Sequence, residues 1–274
     1  MHRCLVPGCV GIDLPWKQWP ALAAKWGFEA VDLRLDASKP AAFYTDALAA
    51  DGIRPGGVGL PVQFRTDDAA FDESFAGLEA VAKLAAEIGC DRFYTWILPA
   101  SDDFTFGENY EIHSTRLNAC AKVLGDHGCR LGLEFVGPKT SRDGKKYAFI
   151  HTMEGMLDLA DDVGPNAGLL LDAWHWYTSH GTLEDLAALT DNEVVYVHVN
   201  DAPEGIDVDR QMDNVRALPG ETGVIKIDAF MSALVRMGYT GPVTPEPFVK
   251  ELAEMPVDEV MQRVSASMKK IWPG

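Results

Sequence analysis

The 274-residue chain repeats one pattern from end to end: a short apolar run, a glycine or acidic stop, then a longer stretch with apolar residues at helical spacing. Apolar runs fit strands at residues 4–12, 28–33, 53–60, 92–98, 130–136, 168–172, 194–199 and 242–246. The spacing predicts helices over 16–26, 41–50, 71–88, 109–127, 152–163, 183–189, 227–237 and 257–271. Strands separated by helices must run parallel, because a parallel pair needs a long crossover between its members. Eight such units with no Pro/Gly/Ser-rich linker predict one domain over residues 1–274, an α/β chain closed as a single (β/α)8 barrel. A doubly wound open sheet is the alternative, but Pro7-Gly8-Cys9-Val10-Gly11 lacks the glycine spacing of a dinucleotide-binding turn.

Composition narrows the function. A net charge of −17 repels phosphate backbones and argues against nucleic acid as a partner. No apolar run reaches the roughly 18 residues of a membrane span. Five scattered cysteines without a Cys-x-x-Cys pair argue against a disulfide framework and a zinc knuckle. The expectation is a cytoplasmic protein acting on a small molecule; whether it forms a homo-oligomer is left open.

In a parallel barrel the loops after the strands open on one face, so the residues that end strands are the candidates for chemistry. Here Asp172 ends the sixth strand and Glu246 the eighth, Glu134 lies near the end of the fifth, and His198 lies near the end of the seventh. Alternation puts Glu134 on the face of Gly132 and Val136, opposite Leu131, Leu133 and Phe135, so it points inward while the bulky residues meet helices. Burying a carboxylate without a partner is costly. Three carboxylates and one imidazole suit a divalent ion, with Mn²⁺ first and Mg²⁺, Co²⁺ or Zn²⁺ as alternatives. Asp172 has a second reading as the N-cap of a following helix.

Leu-Gly-Leu-Glu134, Leu-Asp172-Ala-Trp-His175, His198-Val-Asn-Asp201, Arg216-Ala-Leu-Pro-Gly-Glu-Thr-Gly223 and Glu246, in this order, resemble the xylose-isomerase-like TIM barrels. These include sugar isomerases, ketose 3-epimerases and hydroxypyruvate isomerase. The resemblance implies that Glu134, Asp172, His198 and Glu246 hold the metal and that Glu134 and Glu246 are the catalytic acid/base pair. It implies that His175 and Arg216 bind substrate oxygens, with Arg210 a weaker candidate. Proton transfer through an enediolate would then isomerise or epimerise a small sugar or sugar derivative.

Trp174 and Trp176 flank His175 and are expected to wall the sugar ring. Lys139, with Arg142, Lys145 and Lys146, forms a basic loop that would suit an anionic substrate group or would simply be solvated. His113, His127 and His151 fall on predicted helices or their ends and are expected at the surface. Three other functions stay open: a metal-dependent lyase or dehydratase on a keto-sugar or inosose, an apurinic-site endonuclease, and a non-catalytic sugar-binding protein. The acidic charge and only seven histidines weigh against the endonuclease, whose three-zinc cluster needs more ligands.

Overall fold

The computed structural model describes residues 1–273. The strands among them are β1 (His2–Leu5), β2 (Ala30–Val31), β3 (Arg54–Pro55), β4 (Val58–Gly59), β5 (Arg92–Trp96), β6 (Ala100–Ser101), β7 (Arg130–Glu134), β8 (Tyr147–Ala148), β9 (Ala167–Asp172), β10 (Val194–Val199) and β11 (Pro242–Pro245). Nine of them form one parallel sheet in the order β3-β2-β1-β11-β10-β9-β7-β5-β4. The two ends of that order, β3 and β4, are successive pieces of the same stretch of chain. The sheet therefore curls back on itself as a TIM barrel, with Gly56 and Gly57 at the seam. A Cβ on Gly57 would sit 2.7 Å from the Tyr196 ring, so only glycine lets the backbone pass so close to the barrel interior.

The helices are α1 (Trp19–Trp26), α2 (Ala42–Ala50), α3 (Asp68–Phe75), α4 (Leu78–Ile88), α5 (Phe106–Asp126), α6 (Met153–Val163), α7 (Ala173–Thr178), α8 (Leu183–Ala188), α9 (Ile227–Met237) and α10 (Val257–Ile271). Leu131, Leu133, Leu169, Leu171, Val197 and Val243 are fully buried in the core that the sheet forms with these helices. Each side chain so removed from water contributes roughly 1.5–3 kcal/mol. Inside the barrel, register sets Trp96 beside Glu134 and His198 beside Asp172, all at the C-terminal ends of their strands.

Local chemistry moved several predicted boundaries. The first strand stops at Leu5, because Pro7 lacks an N–H for the ladder and opens a 3-10 turn over Pro7–Val10, closed by Gly11 at φ 76°. The predicted helix 71–88 is two helices, α3 and α4, with Asp67 capping the first and Gly77 starting the second. Helix α5 starts three residues before its predicted start, where Thr105 and Glu108 form a capping box. Helix α7 follows Asp172 directly, ahead of the predicted helix over 183–189. No helix among the described residues is long and apolar enough to cross a membrane.

Candidate metal centre and its cavity

Glu134, Asp172, His198 and Glu246 converge at the mouth of the barrel, each offering one ligand atom within 4.8 Å of the others. His198 Nδ1 is 3.4 Å from Glu134 Oε1, 3.4 Å from Glu246 Oε2 and 3.7 Å from Asp172 Oδ2. The ring stands edge-on to Tyr94 and Tyr196, at centroid distances of 6.0 and 5.5 Å. Both ring nitrogens of His198 and Oε1 of Glu134 are buried without a hydrogen-bond partner. Buried polar atoms are rarely left so. The three carboxylates of the set outnumber the neighbouring Arg216 guanidinium, which also pairs with Asp213, so net negative charge is left that a divalent cation would offset. The donor set fits such an ion on geometry and on charge.

Asp172 is both a member of this cluster and a helix cap. Its Oδ1 caps α7, accepting from the backbone N–H of Trp174 (2.6 Å) and His175 (3.2 Å), while Oδ2 faces Arg216 and His198. Because His175 is three residues past the cap, one helical turn places it over the same mouth. Gly137 N–H donates to its Nδ1 (3.2 Å), which turns Nε2 toward Arg216 Nη2, 3.2 Å away.

Arg216 is delivered by the long connection after β10. Asp201 anchors that connection, accepting from the backbone N–H of Ala202, Thr222, Gly223 and Ile225 and bridging Ala217. One residue before Ala217, the Arg216 guanidinium reaches Asp172 Oδ2 (2.9 Å), Glu246 Oε2 (3.0 Å) and Asp213 Oδ1 (3.0 Å). Arg210 is exposed in a 3-10 turn of the same connection, and its backbone bonds there.

The electrostatics separate the two glutamates. Burial raises the pKa of Glu134 above the ordinary carboxylate range despite nearby His198 and His175. Burial works the same way on Glu246, but His198 and Arg216 more than offset it and the net shift is downward. Asp172 is likewise held well below the usual range, by Arg216 and the two histidines against the effect of burial.

A cavity of about 380 Å³ opens above the cluster, lined by Glu134, His175, Arg216, Glu246, Trp96 and Phe248 among others. Three expectations fail here. Trp174 is fully buried beneath Arg216, whose guanidinium lies 5.4 Å from its ring, and Trp176 packs on Phe230 and donates to Thr182 O. Helix α7 turns both rings into the core, and Trp96 and Phe248 supply the aromatic wall. Lys139 lies off the cavity lining and pairs with Asp143 at 2.6 Å, while Lys145 pairs with Asp102 at 2.7 Å, so much of the basic loop is neutralised within the chain. His113 is buried rather than at the surface.

Sequence reasoning missed three contributors. Asn200, the residue after β10, donates to both oxygens of Asp172 (3.1 and 3.3 Å) and stands two residues beyond His198, a spacing that could have revealed it. Cys9 Sγ lies 3.7 Å from Glu246 Oε1. Asp213 sits in an irregular loop and carries no sequence signal.

Residues 20–271 match the family described as Xylose isomerase-like TIM barrel. The chain belongs to this family. It is 28% identical to a xylose isomerase domain protein from Alicyclobacillus acidocaldarius, with a TM-score of 0.85 covering 99% of this chain and 98% of that one. The IOLI protein, solved with a zinc atom bound, shares the fold at a TM-score of 0.82 and 20% identity, over 99% of this chain and 98% of that one. Among curated relatives, inosose isomerase of Bacillus subtilis is 27% identical over 148 residues, 53% of this chain and 50% of the relative. The chain thus spans about half the length of the curated relatives it matches.

Proposed function

We propose that this chain is a divalent-metal-dependent isomerase or epimerase of a small sugar or cyclic sugar derivative, moving a proton between two glutamates through an enediolate. The observation that carries the reading is the placement of Glu134 and Glu246, each 3.4 Å from His198 Nδ1 and both lining the same cavity. An ion held by Glu134, Asp172, His198 and Glu246 would supply Lewis-acid polarisation of the substrate's adjacent oxygens. The all-carboxylate and imidazole donor set favours Mn²⁺, with Zn²⁺, Mg²⁺ and Co²⁺ as alternatives.

Glu246, kept ionised beside Arg216, takes the proton from the carbon next to the carbonyl at its carboxylate. Glu134, whose pKa burial raises, is the partner set to deliver a proton. Arg216 and His175 orient substrate oxygens, and Trp96 and Phe248 shield the reacting face from water. The inosose isomerase relatives support a polyhydroxylated ketone as substrate. Five free cysteines support a reducing compartment such as the cytoplasm.

The test is deuterium exchange. Mn²⁺-loaded protein in D₂O should label fructose, psicose or inosose next to the carbonyl while keeping the carbon skeleton. Glu134→Gln and Glu246→Gln should each slow labelling by about 10²-fold or more. Labelling that survives exhaustive chelation would sink the metal reading; loss of a hydroxyl in place of labelling would make the protein a lyase.

A further inference from the structure

The cavity over the candidate metal centre shares part of its lining with a neighbouring one. Leu98, Pro99 and Ser141 line it and also line a second cavity of about 600 Å³, bounded by α5 and the chain after β4 and β5. Arg65 stands between the two. Its guanidinium, in the second cavity, lies 4.2 Å from the ring of Trp96, which lines the first.

Two largely buried polar side chains, Asn109 and His113, line this second cavity. Asn109 is only 7% exposed. Its side-chain amide can both donate and accept a hydrogen bond. His113, one turn further along α5 and 5% exposed, has Nδ1 2.8 Å from the carbonyl oxygen of Asn109. A carbonyl only accepts, so Nδ1 carries the proton and Nε2 is an unprotonated acceptor. Burial lowers the His113 pKa to about 4, which keeps the ring neutral at physiological pH. The exposed side chains of Leu98 and Phe104 add apolar surface to the same cavity.

Charge decides what kind of group fits. Lys145 is paired with Asp102 and Arg116 with Asp68, and Asp67 and Asp103 line the cavity as well, so Arg65 is left against two further aspartates. That balance repels a phosphate. We infer that the second cavity is a subsite for a neutral, hydroxyl-bearing group joined to the reacting sugar, so that the substrate class is a glycosylated keto-sugar. A hydroxyl donates to His113 Nε2, the Asn109 amide both donates and accepts, and Leu98 and Phe104 cover a ring face. The inference rests on the proposed reaction for what happens in the first cavity.

Lactulose, fructose and fructose 6-phosphate share one ketose unit and differ in what is attached to it. Titrated into the full Mn²⁺-loaded chain and followed by saturation-transfer NMR, lactulose should bind about ten-fold more tightly than fructose. Fructose 6-phosphate should show no gain. Asn109→Leu and His113→Phe should each bring lactulose down to the level of fructose while leaving fructose within about two-fold. Equal binding of lactulose and fructose by the wild type overturns the inference, whatever the variants do. So does a gain confined to fructose 6-phosphate, or a lactulose preference that survives in both variants. A lactulose preference without any deuterium exchange would remove the proposed reaction and leave the subsite standing.

Discussion

Arg216 Nη1 lies 2.9 Å from Asp172 Oδ2, and neither side chain is more than 1% exposed. The same nitrogen is 3.0 Å from Glu246 Oε2. The guanidinium is therefore a fixed counter-charge for two of the carboxylates that converge on His198, as well as a group facing the cavity. Its role is wider than the substrate contact that the family resemblance implies.

Arg216→Met keeps much of the side chain's volume and removes its charge, so Asp172 is left buried without its strongest partner. Breaking a buried pair from one side costs about 3–5 kcal/mol. Urea unfolding of the metal-free variant should show a loss of that order. Adding Mn²⁺ should return a large part of it, because the ion would replace the missing positive charge. An unchanged unfolding midpoint in the absence of metal would show that the pair is not needed to hold the carboxylates together.

The framework and the four converging residues were legible in the sequence for a simple reason. Strand β7 alternates along its length and β10 does so from Tyr196 onward, past a register shift after Val194, so Glu134 and His198 stand out as polar residues on inward positions, and strand ends share one face in a parallel barrel. Asp172 was legible twice over, as a member of the converging set and as a cap. What stayed hidden depends on contacts between distant segments. Trp174 and Trp176 were misplaced because α7, a single short helix, rotates them into the core and leaves His175 facing the mouth. Asp213 and Phe248 lie in irregular loops whose course no periodicity reports. Lys139 was misread because its charge is answered by Asp143, four residues on, within the same turn.

His113 gives a pH dependence whose sign is fixed. Burial lowers its pKa from 6.5 to about 4 in the folded chain. Between these values the unfolded chain binds the extra proton, so stability is full above about pH 6.5 and falls as pH drops toward 4. His2, also lowered to about 4 by burial, acts in the same direction. His113's share should be about 2 kcal/mol between pH 7 and 5. In urea titrations at the two pH values, His113→Phe should lose correspondingly less stability on acidification than the wild type. Parallel losses in both proteins would show that His113 does not titrate in this window.

Asp32 supports the candidate metal centre through two tyrosines. Its Oδ1 accepts from Tyr196 OH at 2.6 Å and from Gly57 N–H at 2.8 Å, and its Oδ2 accepts from Tyr94 OH at 2.5 Å. Those two tyrosine rings are the ones that stand edge-on against His198. Asp32→Asn would turn an amide N–H₂ toward groups that now donate to it, leaving a buried donor unsatisfied at a cost of about 1–3 kcal/mol. The tyrosines would then shift, and His198 with them. Groups that orient a metal ligand typically change affinity 10–100-fold when altered. Competition with a chromophoric zinc chelator should therefore show Asp32→Asn binding Zn²⁺ about ten-fold more weakly, alongside a lower urea midpoint. A lower midpoint with unchanged Zn²⁺ affinity would confine Asp32 to holding the barrel together.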